Sequence, residues 1–120
     1  MILQKVFRFS CVCLMALLGF AWPGIAGELP EKLAPMNLGA HLFTVHCAGC
    51  HPGGGNIIRR GKTLKLKALQ RNGRDSQEAI TELVNNGKGN MSAFKERLTV
   101  PEIEAVVTYV LEQAQQDWRS

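Results

Sequence analysis

At 120 residues the chain has room for one domain, and its 14 Lys and Arg against 10 Asp and Glu leave a formal net charge of +4. Lys5 and Arg8 carry two of those charges, so the remainder is too weakly basic to suggest a nucleic-acid partner. Of the four cysteines, two fall in the extreme N-terminal stretch, which leaves no disulfide framework for the rest.

Residues 1–26 read as a secretory signal. Lys5 and Arg8 make a positive start, Cys11 to Phe20 is almost unbroken apolar, and small residues follow Pro23. Cleavage after Ala26 fits the small-x-small rule, with cleavage after Gly27 the alternative. The apolar run from Cys11 to Trp22 spans 12 residues, short of the ~20 that a membrane-crossing helix needs. No membrane anchor is therefore expected once the signal is gone. Residues 27–120 form the domain, roughly 90 residues with a thin core of their own.

Glu28 to Pro35 is a polar entry segment without pattern. Asn37 is placed to cap a first helix, on which Leu38, Leu42 and Val45 recur at helical spacing. Gly39 and Phe43, four apart, share a face that another helix can approach closely.

That helix runs into Cys47-Ala48-Gly49-Cys50-His51. Cys-x-x-Cys-His is the attachment pattern of a c-type haem: two thiols bond to the porphyrin vinyl groups, and the histidine follows as the proximal iron ligand. A thioredoxin-type redox pair would need a βαβ surround, and a zinc site would need a second pair of ligands. Only Cys11 and Cys13 remain for such a pair, and they fall within the signal. One covalently attached haem c is expected, and it would supply the apolar volume that a short chain lacks.

Pro52 to Asn56 ends the helix and opens a loop to about Thr63. Its glycines lack the lysine and hydroxyl spacing of a phosphate loop, so they read as backbone passing close to the porphyrin. Leu64 to Gln70 has helical character and stops near Asn72-Gly73. Asp75 or Ser76 caps a third helix, with Glu78 completing a capping box from Asp75. Ile80, Leu83 and Val84 form its apolar face, and Asn85-Asn86-Gly87 stops it. Lys88 to Leu98 is a loop. Thr99-x-x-Glu102, with Pro101 in the first turn, starts a last helix whose stripe includes Ile103, Val106, Val107, Val110, Leu111 and Ala114. Tyr109 and Trp118 flank that stripe. The fold class is all-α.

The sixth iron position separates an electron carrier from a ligand-binding haem. Met36, His41 and His46 lie on the helix that carries the motif, on the proximal side. Met91 lies 40 residues beyond His51 in a glycine-bearing loop, far enough for the chain to return on the opposite face. His51 and Met91 are the expected axial pair, as is usual for electron-transfer cytochromes. The rival reading is a haem-based sensor or a peroxidase-like enzyme whose distal ligand leaves.

Together, the haem motif, Gly53-Gly54-Gly55-Asn56, Lys62-Thr63-Leu64 and Asn86-Gly87-Lys88-Gly89-Asn90-Met91 resemble the cytochrome c6 family over nearly all of the chain after the signal. The resemblance implies a class I cytochrome c fold, about four helices wrapped on the haem, with the first and last crossing near Gly39, Phe43 and Tyr109. It implies an electron carrier, not an enzyme: a monomer in the thylakoid lumen or periplasm, running from the cytochrome b6f complex to photosystem I or a terminal oxidase. Lys62 matches a residue that approaches a haem propionate, and Arg97 matches an arginine used in docking. Ser92 stands where the family usually has proline, and Asn85 where ordinary members often carry a glutamine near the haem. Asn85 and the Gln70-Arg71-Asn72-Gly73 stretch look more like the c6-like paralogues.

Charge is unevenly spread. Arg59 to Arg74 holds seven Lys and Arg and no acid, whereas Glu102 to Asp117 holds four acids and no Lys or Arg. Such asymmetry can orient a molecule toward a charged partner.

Overall fold

The computed structural model describes residues 33–119. The expected signal, with Cys11 and Cys13, lies outside the described residues. Among the described residues, four α-helices and one short 3-10 turn make up the regular structure: α1 Leu33–His46, the 3-10 turn Pro52–Gly54, α2 Leu66–Arg71, α3 Gln77–Asn86 and α4 Val100–Gln115. Among the described residues there is no strand, only one isolated bridge between Lys88 and Met91. None of these helices is long and apolar enough to cross a membrane.

Helix α1 begins four residues before the expected cap, so Asn37 is interior. Pro35 permits this because it sits in the first turn, where backbone N–H groups have no intrahelical acceptor to lose. The buried face matches the expected one except at Leu38. Gly39, Leu42 and Phe43 turn inward, Leu38 is exposed, and Val45 faces the cleft described below. At Gly39 a Cβ would strike the Ala105 carbonyl oxygen and lie 2.8 Å from Tyr109 Cβ. Helices α1 and α4 thus cross nearly backbone to backbone.

Helix α4 is the central strut, against which α1, α2 and α3 all pack. Its apolar stripe buries Ile103, Val106, Val107, Val110 and Ala114. Val107 is fully buried and Val106 almost so, each stabilising the fold by roughly 1.5–3 kcal/mol. Leu42, Phe43, Leu69, Ile80, Val84, Phe94 and Leu98 complete the core. Phe43 stacks at 4.9 Å on Trp118 and 5.5 Å on Tyr109, an aromatic cluster at the α1–α4 crossing.

The ends of the helices follow local chemistry. Thr99 donates to the Glu102 carboxylate from both its backbone N–H and its hydroxyl, each at 2.8 Å. Ser76, rather than Asp75, caps α3, its Oγ accepting from the Ala79 N–H at 3.2 Å. Past α4, Trp118 N–H donates to the Gln113 carbonyl and Asp117 N–H to that of Ala114, the paired bonds of a Schellman stop.

Candidate haem-binding site

Cys47 to His51 form one tight turn beyond α1. Cys50 and His51 both donate their N–H groups to the Cys47 carbonyl, at 3.0 and 2.9 Å. A single turn therefore carries both thiols and the imidazole, as covalent attachment at one porphyrin edge requires. Cys47 is half-buried, and burial, reinforced by the nearby Cys50, pushes its thiol up to about 11. Before any bond is made it is therefore a neutral thiol at physiological pH. Cys50 is exposed.

His51 is fixed by its backbone surroundings. Its Nδ1 lies 2.8 Å from the Gly55 carbonyl oxygen, which can only accept, so Nδ1 carries a proton and the neutral ring has its lone pair on Nε2. That tautomer is the one a metal ligand needs.

Met91 arrives from the other end of the fold. Lys88 and Met91 exchange both backbone bonds, at 3.0 and 3.1 Å, around the two-residue turn Gly89–Asn90. The segment expected as a plain loop is thus a tight hairpin turn that holds Met91 in place. Gly87, with φ of 67° and ψ of 176°, makes the corner between α3 and this turn; a Cβ would collide with the Met91 carbonyl and approach Ala93 N to 2.8 Å.

These groups line one cleft of about 530 Å³, shared by Cys47, Cys50, His51 and Met91. Its apolar walls include Leu69, Val84, Phe94, Val106, Val107 and Val110. Arg59, Lys62, Arg74, Lys88 and Arg97 also line it, and no carboxylate does. Two thiols, a free imidazole nitrogen, apolar walls and wholly basic charge suit a flat apolar macrocycle that bears carboxylates. The residues fit a haem.

The remaining expected site residues resolve as follows. Lys62 lines the cleft, with its Nζ donating to the Asn72 side-chain oxygen at 2.5 Å. Asn72 in turn donates to the Gly61 and Ala68 carbonyls. Arg97 is exposed, its guanidinium 4.4 Å from the centre of the Phe94 ring. Met36 and His41 do not line the cleft; His46 does, edge-on to Phe94 at 6.0 Å. Asn85 is misplaced in the sequence reading. It faces a separate groove between α3 and α4, and Leu83 is the α3 residue beside Val84 that lines the cleft.

Three contributors went unread in the sequence. Gly55 acts through a carbonyl, which carries no residue code. Asn72 anchors Lys62 across ten residues of chain. Asn56 organises the loop, its Oδ1 accepting from the Ile58 and Arg59 N–H groups and its Nδ2 donating to the Lys62 carbonyl. An asparagine after a glycine run is a recognisable Asx-turn signal, so Asn56 was within reach.

Residues 34–110 match the family model described as cytochrome C oxidase, cbb3-type, subunit III. A cytochrome c6-like protein of Nostoc sp. strain PCC 7120 is 59% identical over 68% of this chain and 73% of its own length. A cytochrome c6 of the same strain is 44% identical over 88% of this chain and 95% of its own. Among solved structures, cytochrome c6C from Synechococcus sp. PCC 7002 superposes with a TM-score of 0.66 at 58% identity, over 68% of this chain and 99% of that one. One haem c, bonded through Cys47 and Cys50, is the cofactor. With that attachment turn, the four-helix class I fold and these relatives, the chain belongs to the cytochrome c6 family of electron-transfer proteins.

Proposed function

We propose that this chain is a soluble, exported one-electron carrier whose iron is held between His51 Nε2 and Met91 Sδ. The observation that supports it most is the Lys88–Met91 turn, which carries Met91 to the same cleft as the attachment turn. The signal read in residues 1–26 sends the domain to a thylakoid lumen or periplasm. There it runs from the cytochrome b6f complex to photosystem I or a terminal oxidase. The similarity is higher to the c6-like relative than to the c6 of the same strain, which favours a c6-like paralogue with its own partner.

The bound haem supplies the one-electron chemistry. The chain's part is binding, exclusion and tuning. The Gly55 carbonyl holds the His51 ring, the valine and leucine walls keep water from the iron, and a thioether at Met91 favours Fe(II) over Fe(III). Lys62 and its neighbouring cations balance the propionates.

Met91→Ala tests the axial pair. The variant should keep its covalent haem, lose the weak red-end band of sulfur-to-iron ligation and drop in midpoint potential. An unchanged spectrum would remove Met91 from the iron. A wild-type protein that lacks the band and binds peroxide at the iron would be the sensor or peroxidase-like alternative.

A further inference from the structure

The segment from His51 to Leu64 is tied to the far end of the chain by one side chain. Trp118 Nε1–H donates to the Leu64 carbonyl at 3.0 Å. Leu64 N–H donates to the Gly54 carbonyl at 2.7 Å. The indole ring occupies the space that a Cβ on Gly54 would need, and Gly54 is buried with φ of 73°. Gly54 is thus held by the ring directly and by Leu64, which the indole itself holds. The next residue, Gly55, is fastened through its N–H to the Pro52 carbonyl at 2.9 Å and offers its own carbonyl to His51 Nδ1.

The placement of the indole is over-determined. Asp117 and Trp118 take φ of 54° and 56°, two consecutive non-glycine residues in the left-handed region. Such a pair persists only where the surroundings enforce it. The Schellman bonds, Phe43 at 4.9 Å and Tyr109 at 6.1 Å supply that enforcement.

We infer that Trp118 is a positioning residue for the proximal ligand: by clamping Gly54 and Leu64 it fixes the Gly55 carbonyl, and through it the hydrogen bond that sets the donor strength of the His51 imidazole. The inference rests on the His51 ligation proposed above. A firmly held acceptor at Nδ1 draws the imidazole toward its anionic form, a stronger donor that favours Fe(III) and lowers the potential. A loosened acceptor does the opposite.

Trp118→Phe in the holoprotein keeps an aromatic ring beside Phe43 but removes both the Nε1–H donor and the pyrrole edge that fills the space over Gly54. The expected results are a midpoint potential shifted upward and a His51 Nδ1 proton that exchanges about fivefold faster in the reduced protein, the factor for losing one ordinary hydrogen bond. Ala105→Gly, at the α1–α4 crossing and away from the loop, serves as the comparison for a general loss of stability. Its potential should stay at the wild-type value. The inference is overturned if Trp118→Phe leaves both potential and exchange unchanged, or if Ala105→Gly shifts the potential equally. The wild type gives an independent reading, should the variant not mature. A Trp118 Nε1 proton that exchanges as fast as an exposed indole would overturn the clamp. The spectra separate this from the ligation itself: ring-current-shifted Met91 methyl and His51 ring signals report an intact axial pair whatever Trp118 does.

Discussion

At Gly39 a single missing methyl group decides how two helices meet. A Cβ would press on the Ala105 carbonyl and on Tyr109 Cβ at 2.8 Å, both rigid parts of α4. Gly39→Ala should therefore push α1 from α4 and cost about 1–3 kcal/mol, read as a lower denaturation midpoint in the holoprotein. At this scale the sequence was legible wherever a side chain itself makes the contact. Gly39 and Phe43 share a face by spacing, and Cys47, Cys50 and His51 are fixed by the order of attachment chemistry. Gly55 was not legible, because its contribution is a carbonyl oxygen. Asn85 was placed at the haem by resemblance; the helical repeat turns it toward the α3–α4 groove and leaves Leu83 and Val84 facing the cleft.

Among the elements, α4 depends on its first turn. The Glu102 carboxylate is held below its ordinary pKa, first by the Thr99 backbone N–H and then by the Thr99 hydroxyl, with His46 adding a smaller electrostatic pull against a weak opposing burial effect. A lowered carboxyl pKa in the folded state means stability that is fully present above the unfolded value and fades as pH falls through the folded one. Glu102→Gln removes that charge-dependent part. The gap in melting temperature between wild type and variant should be widest near neutral pH and close progressively below about pH 4. Helix α4 was readable because its cap, proline and stripe all agree. Helix α1 was readable in part: Leu42 and the Gly39–Phe43 face are buried and Val45 lines the cleft, while Leu38 is exposed and the helix starts before its expected cap. For α3, Ser76 and Asp75 are both good caps by type, and only the backbone path chose between them.

For the molecule as a whole, the cleft could not be read from pattern, because its walls come from every helix; its positions of chemistry could. Arg97 shows what the fold adds. It lines the cleft yet remains exposed, its guanidinium spread over Phe94 at 4.4 Å. Ile57 and Ile58 are 64% and 52% exposed beside the basic segment that follows them. We propose Arg97 as a docking residue for a carboxylate on the acceptor. Arg97→Glu should then slow electron transfer roughly tenfold at low salt, converge on wild type as ionic strength rises, and leave the potential within a small shift. Flash kinetics against salt checks it, and equal rates at low salt would rule Arg97 out.

The crossing of α1 over α4 also makes closure of the cleft depend on the segment synthesised last. Gly39 and Ala105 meet although 66 positions separate them. A chain made from its N-terminus presents Cys47 to His51 while the following 69 residues, including all of α4, are still to come. Val106, Val107 and Val110 have then not arrived to wall the cleft. Until α4 docks at Gly39, the Cys47–His51 turn therefore lacks the Val106, Val107 and Val110 wall of its cleft.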